Sequence, residues 1–232
     1  MKRAKIRADR PRAERESCRR EDIRIAILRA AEKIITAKGY TAMNMDDVAR
    51  EAGLSKAPVY KYVPSKGRIL FEIVSHHLDV EGARIRAIAE AANSPTEKLR
   101  AIIAEFVGFN QAKRNIARMV MMDRSLLRFL RLIYGGNVKA AGEQARRKIA
   151  ILSRKAAEIS GGIVRVINEG VAAGEFRSVD TGDAVFLIDA LLAGTSHPRF
   201  WEEELSDVPA EVLSGKIFDF IFSGLRRQKD ES

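Results

Sequence analysis

The chain has 232 residues, with 41 Lys and Arg against 31 Asp and Glu and only one cysteine. This length allows two small domains or one large one, and it suffices to bury a core. No run approaches the roughly 18 apolar residues of a transmembrane helix, and no apolar segment follows the basic N-terminus as in a secretory signal. Because Cys18 has no second cysteine to pair with, we expect a protein of the reducing cytoplasm.

The positive charge is confined to the N-terminal part of the chain. Residues 1–70 hold 18 Lys/Arg and 9 Asp/Glu, a net of +9, whereas the rest holds 23 and 22, a net of +1. Basic groups that neutralise phosphates release counterions, so this distribution favours a nucleic acid as the partner. A membrane surface would call for a basic amphipathic helix with a large apolar face, and we find none.

Residues 1–20 contain nine Lys/Arg and three acids and almost nothing apolar. Such a stretch cannot bury enough surface to fold alone, so we expect a disordered basic arm. It is either a solvated tail or an arm that reaches the DNA minor groove or backbone.

Residues 21–66 carry the pattern of a three-helix unit. Apolar residues recur at helical spacing from Ile23 until Gly39 ends the first helix. Asn44 is a good N-cap for a second helix, and Gly53 terminates it. Ser55 then caps a third helix over residues 56–62. Two short helices joined by a glycine turn form a helix-turn-helix unit, although a helical hairpin of another kind would show a similar local pattern.

The helix over residues 56–62 carries side chains that can bond a phosphate or a base edge. They are Lys56, Tyr60, Lys61 and Tyr62. Ser65 caps the long helix that follows, with Lys66 as its first residue. A helix N-terminus presents unpaired amides and partial positive charge, so Lys66 is well placed to hold a backbone phosphate.

These residues resemble the TetR family of transcriptional regulators. The resemblance is carried by Gly39-Tyr40, the run MDDVAREAGLSK over 45–56, and the residues that follow to 70: Val59-Tyr60, Tyr62, Pro64-Ser65-Lys66 and Ile69-Leu70. It covers about residues 22–72. It implies an all-α homodimer that reads a palindromic operator and whose C-terminal domain senses a small molecule. It further implies DNA contacts from Asn44, Ser55, Lys56, Tyr60, Tyr62 and Lys66.

Three positions depart from the usual pattern of the family. Asn44 stands where threonine is common, and Pro58 stands where threonine or serine is frequent. Val63 stands where phenylalanine is usual, so we expect a different packing of the head on the long helix. Because Pro58 falls in the first helical turn, we expect its helix to survive.

Residues 67–232 are expected to form a helical effector-binding and dimerisation domain. Ser94, Pro95 and Glu97 form a strong helix start with a capping box, and a later long helix is expected to be kinked near Gly161-Gly162. The helices near 183–194 and 208–226 are apolar enough for a four-helix dimer interface, or for the core of a monomer. The interface candidates are Phe186, Leu187, Leu191, Ile217, Phe220 and Ile221.

An effector pocket is expected on the middle helices of this domain, since aromatic and methionine side chains line adaptable apolar pockets. The same spacing also suits an ordinary core. The candidates are Phe106, Phe109, Met119, Met122, Phe129 and Tyr134.

No catalytic motif and no cofactor-binding fingerprint occurs, so the sequence does not predict an enzyme. Glu72 and His76 are a possible metal half-site, yet no partner ligands are evident and we predict no metal. The sequence predicts a ligand-responsive repressor that binds double-stranded DNA as a homodimer. The alternative is a non-specific, architectural nucleic-acid-binding protein.

Overall fold

The computed structural model describes residues 12–112, 142–195 and 208–226, and these residues form eight α-helices. In chain order they are α1 (Arg12–Ala42), α2 (Met45–Glu51), α3 (Lys56–Tyr62), α4 (Lys66–Ala89), α5 (Pro95–Ala112), α6 (Glu143–Ala172), α7 (Thr181–Gly194) and α8 (Ala210–Leu225). No strand occurs in these ranges, where the only extended pairing is an isolated bridge between Phe176 and Arg226. The all-α fold class is therefore confirmed.

The chain divides into two compact units, Met1–Val74 and Ser75–Ser232. The boundary lies eight residues after the one predicted from the sequence, within the continuous helix α4. Since no helix of the described residues is long and apolar enough, none of them could cross a membrane.

The first unit, here called the head, packs α1, α2, α3 and the start of α4 around a small apolar core. Ile27, Val48, Val59 and Val63 are fully buried in it. Gly39 breaks the regular geometry of α1 with a φ of 80°, a conformation that glycine adopts without a Cβ penalty. Gly53 likewise has a φ of 66° in the turn between α2 and α3.

Helix α1 begins earlier than the sequence analysis expected, because residues 12–20 of the predicted disordered arm are helical. Arg20 pairs with Glu16 one turn earlier, at 3.0 Å between Nη2 and Oε1. Adding turns to a helix that already exists costs little compared with nucleating a new one. The buried part of α1 therefore serves as the nucleus for this basic extension.

In the second unit, α5 begins with the capping box expected from the sequence. The Ser94 amide donates to Glu97 Oε2 at 3.0 Å, and the Glu97 amide donates to Ser94 Oγ at 3.2 Å. The main core lies between α4, α5, α6, α7 and α8, with fully buried residues such as Leu99, Ile103 and Ile163.

Helix α6 runs without interruption through Gly161 and Gly162, so the predicted kink is wrong. A Cβ atom on Gly162 would lie 2.7 Å from Ile85 Cγ2 on α4. This glycine therefore permits a close approach of two helices, and it does so with regular helical geometry.

Candidate nucleic-acid interface

The helix-turn-helix is held in place by local capping and by burial of Val59. Asn44 Oδ1 accepts a hydrogen bond from the Asp47 amide at 2.7 Å, so the Asn44 side chain caps α2 as predicted. Ser55 occupies the N-cap position of α3, but its side chain makes no capping bond. Helix α3 keeps its regular form with Pro58 in its first turn.

Helix α3, the expected recognition helix, turns Val59 inward and its polar residues outward. Val59 is fully buried, whereas Tyr60 is 47% exposed. Lys56 and Lys61 are also exposed, and Tyr62 is half-buried. Tyr60 follows Lys56 by four residues, so both lie on one face of the helix. The structure therefore leaves three predicted contact side chains of α3 open to a ligand, Lys56, Tyr60 and Lys61.

Lys56 already has an acidic partner in the head. Its Nζ lies 2.7 Å from Asp46 Oδ2 on α2, and this hydrogen bond raises the pKa of the lysine. Both side chains are largely exposed, so the pair contributes little to stability. It does, however, set the position from which Lys56 would approach a phosphate.

Lys66 is engaged within the head as well. Its Nζ donates to the Thr41 carbonyl at 3.0 Å and lies 4.4 Å from the centre of the Tyr40 ring. At the same helix start, the Arg68 amide donates to Ser65 Oγ at 3.2 Å, which confirms Ser65 as the cap. The role of Lys66 as a phosphate ligand stays a prediction.

A groove of about 800 Å³ separates the N-terminal extension of α1 from the recognition helix. Its walls are formed by Glu16, Arg19, Arg20, Ile23, Ala57, Pro58, Lys61 and Tyr62. Arg19 and Arg20 belong to the stretch that the sequence predicts to be disordered. The structure instead places them in helix α1, across this groove from Lys61. The spacing of Glu16 and Arg20, four residues apart, was the available signal that this stretch is helical.

Glu72 stabilises the head by pairing with two arginine side chains. It is 3% exposed, and each of its oxygens lies 2.5 Å from an arginine Nε atom, Oε1 from Arg68 and Oε2 from Arg24. Because both oxygens of Glu72 pair with guanidinium groups, Glu72 is not available to bind a metal together with His76. No group of metal-binding side chains is found within the described residues.

Only two predicted effector-pocket residues lie within the described residues. Phe106 packs half-buried against the core, and Phe109 meets the His77 ring edge-on at 5.5 Å between centroids. Met119, Met122, Phe129 and Tyr134 lie outside the described residues. The pocket therefore stays a prediction.

Helices α7 and α8 present an exposed apolar surface, here called the α7–α8 face. Phe186 is 70% exposed, Leu187 59%, Leu191 41% and Phe220 72%. Leu187, Leu191 and Phe220 border a groove of about 340 Å³. The other two interface candidates differ, because Ile221 is 6% exposed and Ile217 packs half-buried on the core of its own chain.

Comparison with known proteins shows which family the head of this chain resembles. Residues 27–73, which include α2 and α3, match the bacterial regulatory proteins of the tetR family. The head therefore contains a TetR-family DNA-binding domain, and the comparisons support a TetR-family transcriptional regulator. Members of this family are ligand-responsive DNA-binding proteins, as the sequence predicted.

The fold of the described residues agrees with TetR-family structures. A TetR/AcrR-family regulator from Thermobifida fusca has a TM-score of 0.67 at 25% identity, over 89% of this chain and all of the other. The regulator FadR of Bacillus subtilis, solved with stearoyl-CoA, has a TM-score of 0.64 at 18% identity, over 86% of this chain and 98% of the other. The second likeness concerns the fold alone.

Sequence relatives align over shorter stretches. The transcriptional activator FasR of Mycolicibacterium smegmatis is 29% identical over 39% of this chain. The chain spans 41% of the length of FasR and 63% of that of the regulator HbdR of Aromatoleum.

Proposed function

We propose that this TetR-family protein is a cytoplasmic repressor that binds a palindromic operator as a homodimer and leaves it when a small molecule binds. The observation that carries the proposal is the outward face of α3, where Lys56, Tyr60 and Lys61 are exposed above the buried Val59. Lysine and tyrosine side chains on a helix of this kind bond phosphates and base edges. The charge of residues 1–70, a net of +9, supports the same partner.

The α7–α8 face supports the homodimer. Large apolar side chains grouped on one surface mark an interaction site, and a two-fold dimer uses the same surface on both copies. In such a dimer the two recognition helices would lie about 34–36 Å apart, one turn of DNA. The operator would then consist of two half-sites related by two-fold symmetry.

Release of DNA follows when the effector has a higher affinity for one of two conformations of the protein. An effector that binds better to a conformation whose heads are wrongly spaced shifts the population away from the operator. Repression is the simplest outcome of this exchange, because the operator is occupied when the effector is absent.

Operator binding is tested by fluorescence anisotropy with labelled DNA from upstream of the protein's own gene. We expect this DNA to bind at least about a thousandfold more tightly than a scrambled duplex, the lower end of specific recognition. Equal affinity for both duplexes would favour the non-specific, architectural alternative and contradict the proposal.

The same titration tests the recognition helix. Tyr60→Ala should weaken operator binding by roughly tenfold, the scale of one lost specific contact. Tyr60→Phe serves as the matched variant, since it keeps the ring and removes the hydroxyl. Wild-type affinity in Tyr60→Ala would remove Tyr60 from the contact surface.

A further inference from the structure

Glu81 is a buried carboxyl group with one oxygen atom that no described residue pairs with. It lies on α4 in the second unit and is 6% exposed. Its Oε1 has no hydrogen-bond partner within the part of the chain that the structure describes. A buried polar group left unsatisfied costs stability, so its presence in a folded protein calls for an explanation, such as a bound ligand.

Two more carboxyl groups, on other helices, act on Glu81 through their charges. Burial, and then the charges of Glu105 on α5 and Asp189 on α7, raise the pKa of Glu81 to about 7. Burial also raises the pKa of Asp189, against a hydrogen bond that Ser160 on α6 donates to Asp189 Oδ2 at 2.8 Å. Glu81 and the two carboxyl groups that influence it, Glu105 and Asp189, are called here the acidic site, to which Ser160 contributes a hydrogen bond.

The basic side chains around the acidic site are engaged with other residues. Arg84 Nη1 lies 2.5 Å from Glu105 Oε1, so Glu105 has its counterion. Lys155 Nζ lies 2.5 Å from Asp79 Oδ2 and 2.7 Å from Ser75 Oγ. None of the ion pairs between described residues includes Glu81 or Asp189. Among the described residues, Glu81 and Asp189 therefore have no ion-pair partner.

The acidic site lies beside a predicted wall of the effector pocket. His77 stands one helical turn before Glu81 on α4, and its ring packs edge-on against Phe109. An effector between the middle helices could thus place an apolar part near Phe109 and a polar part near Glu81.

We propose that Glu81 anchors a protonated amine of the effector, an organic cation whose N–H group donates to the Glu81 carboxylate and whose charge is also balanced by Asp189 on α7. This inference rests on the proposed function and gives its effector a chemical class. A cation supplies the two things that Glu81 lacks, a hydrogen-bond donor and a compensating charge.

Thermal unfolding of the full-length protein tests the inference with three probes of equal chain length, n-octylammonium, n-octanoate and 1-octanol. A ligand that binds the native state raises the melting temperature. We expect octylammonium to raise it by several degrees more than octanol, and octanoate to raise it less than octanol. Equal effects of the three probes, or the largest effect from octanoate or octanol, would overturn the proposal.

Two variants decide whether the acidic site is responsible. Glu81→Gln should abolish the preference for octylammonium, whereas Glu158→Gln, which removes an exposed carboxylate from α6, should keep it. If Glu81→Gln does not fold, Asp189→Asn supplies the same comparison and should reduce the preference. A preference for octylammonium that survives the substitution overturns the proposal.

A pH series adds an independent readout. Because the carboxylate form of Glu81 holds the amine, affinity for octylammonium should rise about tenfold from pH 6 to pH 8. Glu105 and Asp189 act on Glu81 through their charges, Arg84 pairs with Glu105, and His77 lies one turn away, so Glu81→Gln is the reference that isolates Glu81. The same pH dependence in Glu81→Gln would overturn the assignment.

Operator titrations keep this inference separate from the proposed function. A wild-type protein that binds its operator specifically but shows no preference for octylammonium contradicts the inference alone. Loss of operator specificity contradicts the proposed function instead.

Discussion

Glu81 links the stability of the second unit to pH. Its pKa is about 7 in the folded protein against an ordinary value of 4.5. Between these values the unfolded state loses a proton that the folded state keeps, so the free energy of unfolding falls as pH rises. The full difference is about 3 kcal/mol, and it is complete above pH 7.

We therefore predict that Glu81→Gln is more stable than wild type at pH 8 and about equal to it at pH 4.5. Urea unfolding at a series of pH values, followed by circular dichroism, measures both. Glu158→Gln should leave the pH slope of the wild type unchanged. A wild-type slope in Glu81→Gln would show that Glu81 does not carry the proton.

The position of Glu81 could have been read from the sequence. It follows His77 by four residues and Leu78 by three, so it shares their face of α4. The partners of Lys56 and Lys66 could not have been predicted from the sequence. Asp46 and the Thr41 carbonyl lie on other helices, and their distance depends on how those helices pack.

At the scale of elements, the N-terminal extension of α1 adds basic side chains beside the recognition helix. Arg19 and Arg20 line the groove that also contains Lys61. The ion pair of Arg20 with Glu16 is exposed on both sides, with 62% and 60% of the side chains accessible, so it does not hold Arg20 away from a phosphate.

We predict that Arg19→Ala and Arg20→Ala each weaken operator binding and each lower the slope of log affinity against log salt by about one. Anisotropy titrations over a range of salt concentrations measure this slope. Arg147→Ala removes a comparable exposed arginine from α6 and should change nothing. An unchanged slope in both α1 variants would leave the extension as a solvated helix.

Most elements defined by local chemistry were predicted well, although Ser55 makes no capping bond, and those defined by context were not. The caps at Asn44, Ser65 and Ser94 depend on residues three positions away, so the sequence contains all that decides them. The pair Gly161-Gly162 is ambiguous in a sequence, because glycine is compatible both with a kinked helix and with a close contact between two regular helices. Ile85, which lies far along the chain, decides between the two.

For the whole molecule, the α7–α8 face predicts the oligomeric state. Phe220 is 72% exposed beside Leu187 and Leu191, and burial of such side chains stabilises association. We predict that Phe220→Glu dissociates the dimer at micromolar concentration, because it would bury an unpaired charge. Light scattering after size-exclusion chromatography measures the mass.

The control places the same charge elsewhere. Ile151→Glu alters a residue of α6 that is 39% exposed and should leave a dimer. Operator affinity should fall with Phe220→Glu, since a monomer engages one half-site only. A dimeric Phe220→Glu protein would exclude this part of the α7–α8 face from the interface.

The contact of Lys66 with Thr41 and Tyr40 has a consequence for how DNA binding is measured. If a phosphate draws the ammonium group, the Thr41 carbonyl loses its donor and the Tyr40 ring loses its cation at the same moment. Docking at this point is then an exchange of partners rather than the filling of an empty position. Lys66→Ala would remove the contact with the phosphate and also the contacts with Thr41 and Tyr40. The drop in affinity would therefore report only the difference between the free energies of these two sets of contacts. The environment of the Tyr40 ring, followed by tyrosine fluorescence during a DNA titration, would report the exchange itself.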